Sequence, residues 1–463
     1  MDKVYSETQK LQAIIDTSSE LKEYDEDYGD VLDFVGDASV VLLGESTRGS
    51  LEFYRTRANI TKMLIQKKGF KAVAATYDFS TSERLNNFAQ MDSSMVSHKN
   101  SKTIGHKNYA DLFSAQTTPF PSWIFENNEM AKFFSWLRTH NEGFHAQSHK
   151  IGFYGLDLYN FYDSASQVIK YFDHLIPSAA AAARNVFASY EIFGTKSSRS
   201  KRDSLLNLGS SLESASVSRL VERLKNQPAY LQIEDGPAVE GEFLNRTQKL
   251  RVIAGAEKFY RCMLRNKISF WELRDSHMAE ALQKVRQNLE HRGESPKVVV
   301  WAHNFDSGDA QATELSRLRE VNFGQLVKHS YGHESVSIGL TTYVGTVTAS
   351  SSWNGAAETK VIPPAPSTSY EYLFHKTGIP RFFLEMKHDS EATHALRDPQ
   401  NEMVIGALLA PRAMRANQFF SASIPFQFDA IVHIDRTRGL ENLEGAAAEN
   451  LFPASPIHDE ART

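Results

Sequence analysis

Short apolar runs that recur along the chain, separated by long helical patterns, constrain its fold more than any other feature. The runs cover residues 40–43, 72–75, 151–154, 298–302, 336–342 and 430–434. Continuous apolar runs of this length are typical of strands that are buried on both faces of a sheet. Strands that alternate with helices predict an α/β fold with a largely parallel central sheet flanked by helices.

The composition is that of an ordinary folded protein. The chain has 463 residues, of which 41% are hydrophobic and 23% are charged, so one large domain with insertions or two domains are expected. The net charge of −5 is small, and no basic stripe alternates with aromatic residues, which favours a small-molecule partner over nucleic acid. The single cysteine, Cys262, excludes an intrachain disulfide and any multi-cysteine metal site.

Patterning along the chain suggests how it is organised. We predict an N-terminal helical segment at 1–35, an α/β domain at 36–445 and a C-terminal tail at 446–463. Mainly helical insertions are expected at about 82–141, which includes an amphipathic helix at 128–140, and at about 164–288. The amino terminus is polar and no run reaches the roughly 20 apolar residues of a membrane span, so we expect a cytoplasmic protein without membrane contact.

The first apolar run ends on a charged turn. Gly44 closes the run, Glu45 follows, and Arg48 and Arg57 come in the turn and the next helical pattern. Charge at the carboxyl end of a buried strand is typical of a ligand site in an open α/β sheet. Glu45 is predicted to be catalytic, and Arg48 and Arg57 to hold developing negative charge. The structural alternatives are a helix cap for Glu45 and a salt bridge for Arg48.

The run at 298–302 also ends in polar residues, His303 and, three positions later, Asp306. If both strands lie in one parallel sheet, their carboxyl ends face the same crevice and Glu45 and His303 converge there. A carboxylate beside an imidazole raises the basicity of the imidazole, as a general base requires. His303 and Asp306 are therefore predicted to be catalytic, with a buried structural histidine as the alternative.

Two further strand ends carry hydrogen-bonding and aromatic side chains. Residues predicted to bind substrate there are Thr76, Tyr77, Asp78, Asp157 and Tyr159. Glu371, in a later helical pattern, is added as a candidate, although an exposed helix carboxylate or, for Asp157, a helix cap explains such residues equally well.

Several common enzyme motifs are absent from the sequence. It has no glycine-rich nucleotide loop, no Gly-x-Ser-x-Gly nucleophile turn and no His-Glu-x-x-His zinc helix. His303 and Asp306 are potential metal ligands, but two ligands three residues apart do not complete a site. We therefore predict neither a metal nor a cofactor.

Several segments, in their order along the chain, resemble the erythromycin esterase family. The family's first motif, Gly-Glu-x-Thr-His-Gly, is similar to residues 44–49, and Glu52, Phe53 and Arg57 follow as in the family. Further similar segments are residues 69–70, 153–157, 271–278, 301–304, 345–349 and 428–437. The resemblance covers about residues 35–445.

The resemblance implies an α/β core with helical insertions and a cleft for a macrolide-sized ester or lactone. It also implies water activation by the first-motif histidine, with acids and a His-Asn-x-His motif assisting and no tightly required metal. Three positions differ from the family pattern: Arg48 stands for the first-motif histidine, Asp306 for the second histidine of His-Asn-x-His, and Thr76 for a glutamate. An arginine does not act as a general base, because its pKa stays above about 12.

Three functions follow from this pattern. The first is an enzyme on the same fold that carries out a non-hydrolytic step, such as cyclisation, elimination or isomerisation, on a polyketide- or terpenoid-like secondary metabolite. The second is a hydrolase of an ester or lactone in which His303, with Glu45 or Asp306, replaces the missing base. The third is a non-catalytic protein that binds a small molecule. A change in substrate mass separates the three.

Overall fold

The computed structural model describes most of the predicted α/β domain. The described residues are 4–22, 28–90, 109–113, 121–144, 149–158, 270–351, 355–386, 389–409 and 418–443, with shorter stretches between 164 and 184 and between 248 and 262. Tyr159, the tail at 446–463 and much of the two predicted insertions lie outside them. The proposed division into segments stays a prediction.

The helices and strands alternate through most of the described chain. The α-helices are α1 (Glu7–Thr17), α2 (Gly29–Val35), α3 (Leu51–Lys68), α4 (Phe79–Gln90), α5 (Asn128–Glu142), α6 (Phe270–His291), α7 (Asn304–Ser307), α8 (Leu315–Leu318), α9 (Phe323–Tyr331), α10 (Tyr370–Lys376), α11 (Glu391–Ala395) and α12 (Ile424–Gln427). Short 3-10 helices span Tyr109–Leu112, Ser122–Ile124, Ala310–Ala312 and Gly332–Glu334.

The strands are β1 (Ser19–Glu20), β2 (Val40–Leu43), β3 (Ala72–Asp78), β4 (Gly152–Asp157), β5 (Val298–Trp301), β6 (Ser335–Thr341), β7 (Val344–Ser350), β8 (Ala357–Ile362), β9 (Arg381–Glu385), β10 (Gln400–Met403), β11 (Phe419–Ala422), β12 (Ala430–Ile434) and β13 (Arg436–Thr437). Eight of them form the central sheet, in the order β1-β9-β12-β6-β2-β5-β3-β4. The run from β12 to β4 is parallel, and β9 and β1 continue it in antiparallel pairing. The predicted fold class, a largely parallel sheet flanked by helices, is confirmed.

The central strands are apolar on both faces because helices cover both faces. On β2, Val41 and Leu43 belong to a core that α3 and α5 complete, whereas Val40 and Leu42 face a second core on the other side. Helices α6 and α9 supply that second core, for example through Leu282. Since no strand face meets water, the strands read as continuous apolar runs rather than as an alternation.

Two smaller sheets hold the turn that follows β2. One consists of β10 and β11, and the other has the order β13-β7-β8. Backbone hydrogen bonds join Arg48 N to Ile405 O at 3.0 Å and Thr348 N to Gly49 O at 3.0 Å. A Cβ atom at Gly49 would overlap the carbonyl oxygen of Thr348, so this close approach requires glycine. The turn is fixed on both sides.

The described part of the predicted N-terminal segment packs at the edge of the sheet. Within the predicted N-terminal segment, α1 and α2 are helical and β1 adds a short strand beside β9 at the edge of the sheet. None of the helices among the described residues is long and apolar enough to cross a membrane.

Candidate active site

The carboxyl ends of β2 and β5 lie side by side. The two strands pair in parallel, with Leu43 opposite Trp301, so Glu45 and His303 each come two residues after the last pair. The backbone N–H of Asn304 donates to the carbonyl oxygen of Glu45 at 2.8 Å. The structure therefore brings both predicted residues to one edge of the sheet.

Glu45 pairs with an arginine from the next helix. Its Oε2 lies 2.7 Å from Arg57 Nη2, and both side chains are fully buried. The guanidinium of Arg57 lies over the rings of Tyr54 and Trp301, 4.7 and 5.2 Å from their centroids, which holds it in place. Burial raises the pKa of Glu45 above its usual value, although Arg57 and Arg48 oppose the shift. Glu45 Oε1 has no hydrogen-bond partner among the described residues.

A second set of charges runs from Arg48 into the protein. We call Arg48, Asp306, Arg274 and Asp157 the arginine ladder, because arginines and carboxylates alternate along it. Arg48 Nη2 lies 3.1 Å from Asp306 Oδ2, and Arg274 Nη1 lies 3.4 Å from Asp306 Oδ1. Arg274 also donates through Nε and Nη2 to Asp157 Oδ2, at 2.9 and 2.6 Å.

The ladder keeps its central carboxylate ionised. Burial alone raises the pKa of Asp306, but Arg274 and Arg48, with His303, outweigh it and hold the pKa below its usual value. A carboxylate held in this way by two arginines is a weak base and a stable negative charge. Its role in the ladder is to fix the two guanidinium groups.

His303 is not paired with Glu45, contrary to the expectation from the sequence. Its Nδ1 accepts the backbone N–H of Phe305 at 3.2 Å and its Nε2 lies 3.2 Å from the carbonyl oxygen of Ile405, which accepts the Nε2 hydrogen. Burial, aided by the charge of Arg48, lowers the pKa of His303 to about 4. The physical reason is position: His303 caps the start of α7, so its lone pair is directed at the helix.

The other predicted strand-end residues are buried around the same edge. Tyr77 packs edge-on against Phe125 with ring centroids 4.8 Å apart, and burial raises the pKa of its hydroxyl. Asp78 Oδ1 accepts the backbone N–H of Thr81 at 2.9 Å, which is a cap on α4. Thr76 Oγ1 is buried and has no hydrogen-bond partner among the described residues.

Glu371 is not part of the arginine ladder and lies beside a second acid. The two form what we call the carboxyl pair, Glu371 and Glu402. Glu371 Oε1 accepts the backbone N–H of Met403 at 2.7 Å, and Glu402 Oε1 accepts from Asn304 Nδ2 at 3.1 Å. Burial raises the pKa of Glu371 to about 7, and burial together with Glu371 raises the pKa of Glu402 to about 8. Glu371 is fully buried, so it is not the exposed helix carboxylate that was weighed as the alternative.

A cleft of about 620 Å³ opens beside the ladder. Arg48, His303 and Asp306 line it, together with Arg274 and Asp275, which the sequence analysis did not select. Apolar side chains form much of its mouth: Trp271, Phe305 and Leu318 are 45%, 37% and 65% exposed. A larger cleft of about 860 Å³ has a lining of mixed charge, and none of its described lining residues is a predicted site residue. We therefore take the smaller cleft as the candidate active site.

Among the described residues, no three potential metal ligands of the histidine, cysteine and acid types lie together. Asp306 directs both of its oxygens at arginines, and His303 has both nitrogens occupied, so these two residues do not start a metal site.

A model of the erythromycin esterase family matches residues 65–437 of the chain. The chain belongs to the erythromycin esterase family. This membership indicates an enzyme of the hydrolase type. A relative from Escherichia coli, described as erythromycin esterase type II, is 22% identical over 343 residues, which cover 69% of this chain and 73% of the relative.

Solved structures share the fold of this family member. A succinoglycan biosynthesis protein has a TM-score of 0.70 and 22% identity, over 94% of this chain and 98% of that one. A Bacillus cereus protein has a TM-score of 0.73 and 20% identity, over 95% of this chain and 100% of that one. An erythromycin esterase mutant in its open conformation has a TM-score of 0.58 and 16% identity, over 89% of this chain and 94% of that one. At these identities the likeness shows the fold alone.

Proposed function

We propose that the chain hydrolyses an ester or lactone bond of a small organic molecule bound in the cleft beside Arg48. In this mechanism Glu45 takes a proton from the attacking water, and Arg48 stabilises the oxyanion that forms on the carbonyl oxygen. The observation that carries the proposal is the state of Arg48 in the cleft. Its Nη2 is fixed by Asp306, while its Nη1 is buried without a hydrogen-bond partner among the described residues.

A guanidinium in this state is suited to oxyanion stabilisation. The side chain of Arg48 is only 10% exposed, so it acts in a largely water-excluded setting where a fixed donor is strongest. Asp306 holds one arm of the guanidinium, so the group is oriented before the substrate binds. In this proposal Nη1 of Arg48 donates to the negative charge that develops in the transition state.

Glu45 is the better candidate for the base than His303. A raised pKa makes a carboxylate a stronger proton acceptor, and Arg57 still favours the ionised form that accepts the proton. Glu45 Oε1 has no partner, whereas both nitrogens of His303 are occupied. Glu45 is buried and is not one of the residues that line the cleft, so in this proposal water reaches it past Arg48, three residues further along the chain.

The cleft favours a ligand with an apolar body and a carbonyl group. Its volume of about 620 Å³ is within the range of small-molecule sites. Exposed Trp271, Phe305 and Leu318 at the mouth offer apolar contact, whereas Arg48 lies in the wall. A neutral carbonyl suits this wall, because the charges of the ladder already balance one another.

The test is ester and lactone turnover in water enriched in oxygen-18. The product acid should carry one labelled oxygen, and Glu45→Gln should lower kcat/KM by about 10²- to 10⁴-fold because the base is lost. Arg48→Met should lower it by about 10²- to 10³-fold because the oxyanion loses its donor. The control is Arg436→Met, which removes an exposed arginine of β13. No label in any product, or full activity of both variants, would exclude the proposal.

A second candidate is the non-hydrolytic enzyme, and one observation favours it. Arg48 stands where the family has its first-motif histidine, and His303 is neutral with both nitrogens occupied, so no histidine of the described cleft is available to activate water. Incubation with metabolite extracts separates the two functions. Hydrolysis adds the mass of one water, whereas cyclisation or isomerisation leaves the mass unchanged and elimination removes a small molecule.

A further inference from the structure

One buried carboxyl group that lines the cleft is not part of the arginine ladder. Asp275, on α6 next to Arg274, lines the cleft and is only 6% exposed. Its Oδ1 has no hydrogen-bond partner among the described residues, and Arg274 Nη1 lies 3.9 Å from it, beyond hydrogen-bond distance. A buried polar atom of this kind on a cleft wall calls for an explanation.

Counting charges explains the state of Asp275. Three carboxyl groups, on Asp157, Asp306 and Asp275, lie beside Arg274, and among the described residues Arg48 is the one further cation that pairs with them. Asp157 and Asp306 take the hydrogen bonds that the two guanidinium groups donate. Burial raises the pKa of Asp275 well above its usual value, Asp306 and Asp157 add to the shift, and Arg274 opposes it. Its raised pKa and its unpaired Oδ1 make Asp275 a candidate proton donor.

We propose that Asp275 is the general acid of the cleft and gives its proton to the alcohol oxygen that leaves the substrate. The inference rests on the proposed hydrolysis and adds the step in which the leaving oxygen is protonated. Water attacks the carbonyl carbon and its proton goes to Glu45, which leaves a tetrahedral oxyanion beside Arg48. When the oxyanion collapses, the bond from carbon to the leaving oxygen breaks, and that oxygen takes the proton of Asp275. Exchange with solvent returns one proton to Asp275 and removes one from Glu45.

The arrangement distinguishes Asp275 from the two acids that hold the arginines. Asp306 and Asp157 accept the hydrogen bonds of the arginines, and the pKa of Asp306 is lowered, so Asp306 is poorly suited to give a proton. Asp275 lies on the cleft wall with an Oδ1 that has no hydrogen-bond partner among the described residues, and its raised pKa favours the protonated form. A positioned acid of this kind contributes about 10²- to 10⁴-fold to a rate.

A purely structural role for Asp275 makes a different prediction. Its carboxyl group also accepts a hydrogen bond from the backbone of Phe323, the first residue of α9, so it caps that helix. Loss of a cap shifts stability and lowers every reaction of the enzyme alike. Loss of a general acid lowers only reactions whose leaving group needs a proton.

The experiment therefore compares leaving groups. A panel of acyl groups is presented twice, once as cyclohexyl esters, whose alkoxide needs protonation, and once as para-nitrophenyl esters, whose phenolate does not. In Asp275→Asn, kcat/KM should fall about 10²- to 10⁴-fold for the cyclohexyl esters and less than about tenfold for the aryl esters. The alkaline fall of the wild-type pH profile, which follows deprotonation of the acid, should be lost in the variant.

Two further variants complete the test. Asp275→Glu retains an acid and should keep the cyclohexyl activity above that of Asp275→Asn. Glu290→Gln changes an exposed acid of the same helix and should leave both ester series at wild-type rates. If Asp275→Asn lowers both series equally, or if Asp275→Glu behaves like it, the inference is overturned while hydrolysis stands. If the wild type cleaves neither series, the proposed function itself fails, and the inference with it.

Discussion

The arginine ladder and the carboxyl pair are two buried acid clusters in which the pKa values of the acids shift in opposite directions. In the ladder, Arg48 and Arg274 hold Asp306 ionised and keep its pKa below the usual value. No cation among the described residues lowers the pKa of either acid of the carboxyl pair, and burial raises the pKa of Glu371 to about 7 and of Glu402 to about 8. Asp306 of the first cluster keeps its charge to lower pH than usual, and the acids of the second cluster keep their protons to higher pH.

The difference shows what decides the state of a buried acid. Both clusters are buried, so the neighbouring cations make the distinction between them. The carboxyl pair receives hydrogen bonds from Asn304 and from the backbone of Met403, which compensate a neutral acid well. Asp275 lies beside the ladder, but its pKa is raised like those of the carboxyl pair, which supports its assignment as a proton donor.

Removing Arg274, the cation between the two carboxylates of the ladder, should change the free energy of unfolding more than the other substitutions. Arg274→Met leaves Asp157 and Asp306 buried with too little positive charge, and breaking such pairs costs about 3–5 kcal/mol. Urea unfolding at neutral pH measures the loss, with Arg436→Met as the exposed control. Because the folded-state pKa of Asp306 is lowered, its contribution is present above the unfolded pKa and is lost as pH falls through the folded pKa. An equal cost of Arg274→Met in acid and at neutral pH would break the comparison.

The carboxyl pair should show the opposite dependence on pH. Its folded-state pKa values are raised, so its stabilising contribution is complete below the usual value of 4.5 and is lost as pH rises through about 7 and about 8. Glu402→Gln keeps the hydrogen bond from Asn304 in neutral form, so we expect little change at about pH 5 and a gain of roughly 1–3 kcal/mol at about pH 9. Urea unfolding across this range measures it.

Two outcomes would count against this interpretation of the carboxyl pair. One is a stability loss in Glu402→Gln that stays constant across the whole pH range, because an ionised acid rather than a protonated one would then have been removed. The other is a similar gain at high pH in Glu290→Gln, whose exposed carboxylate has no reason to produce one.

His303 lies between the two clusters and should give the smallest effect. Arg48 helps to lower its pKa, and its neighbour Asn304 donates to Glu402. His303→Asn retains an N-cap for α7, so its stability and its kcat/KM should stay within about 1 kcal/mol and about tenfold of wild type. Comparison with Glu45→Gln in the same ester assay measures this. If His303→Asn loses as much activity as Glu45→Gln, the base has been assigned to the wrong residue.

The sequence predicts the strands better than it predicts the charge pairs. Strands β2 and β12 begin and end where the apolar runs do, because burial on both faces leaves a continuous signal. A salt bridge was the structural alternative for Arg48, and its partner is Asp306, which lies 258 residues away along the chain. Such a pair depends on the register of β2 and β5, which no local pattern encodes.

Other site residues are hidden in the sequence for a different reason. Arg274 and Asp275 lie within α6, where a charged pair reads as the solvent-facing side of a helix. Only the similarity of residues 271–278 to the family gave a signal that these positions matter. The burial of Glu371 was missed because its neighbour Glu402 comes from a strand outside the central sheet.

The glycines around the turn after β2 are required by the packing of the fold and not by the reaction. A side chain at Gly49 would overlap the backbone of Thr348, and one at Gly44 would overlap the side chain of Asn304. Both positions are therefore fixed by packing, whatever reaction the cleft supports. A sequence search that matches these glycines therefore finds relatives in architecture, whereas the residue between them at position 48 lines the cleft and bears on the reaction. Proteins that share the glycines but differ at that position form separate classes for biochemical assay.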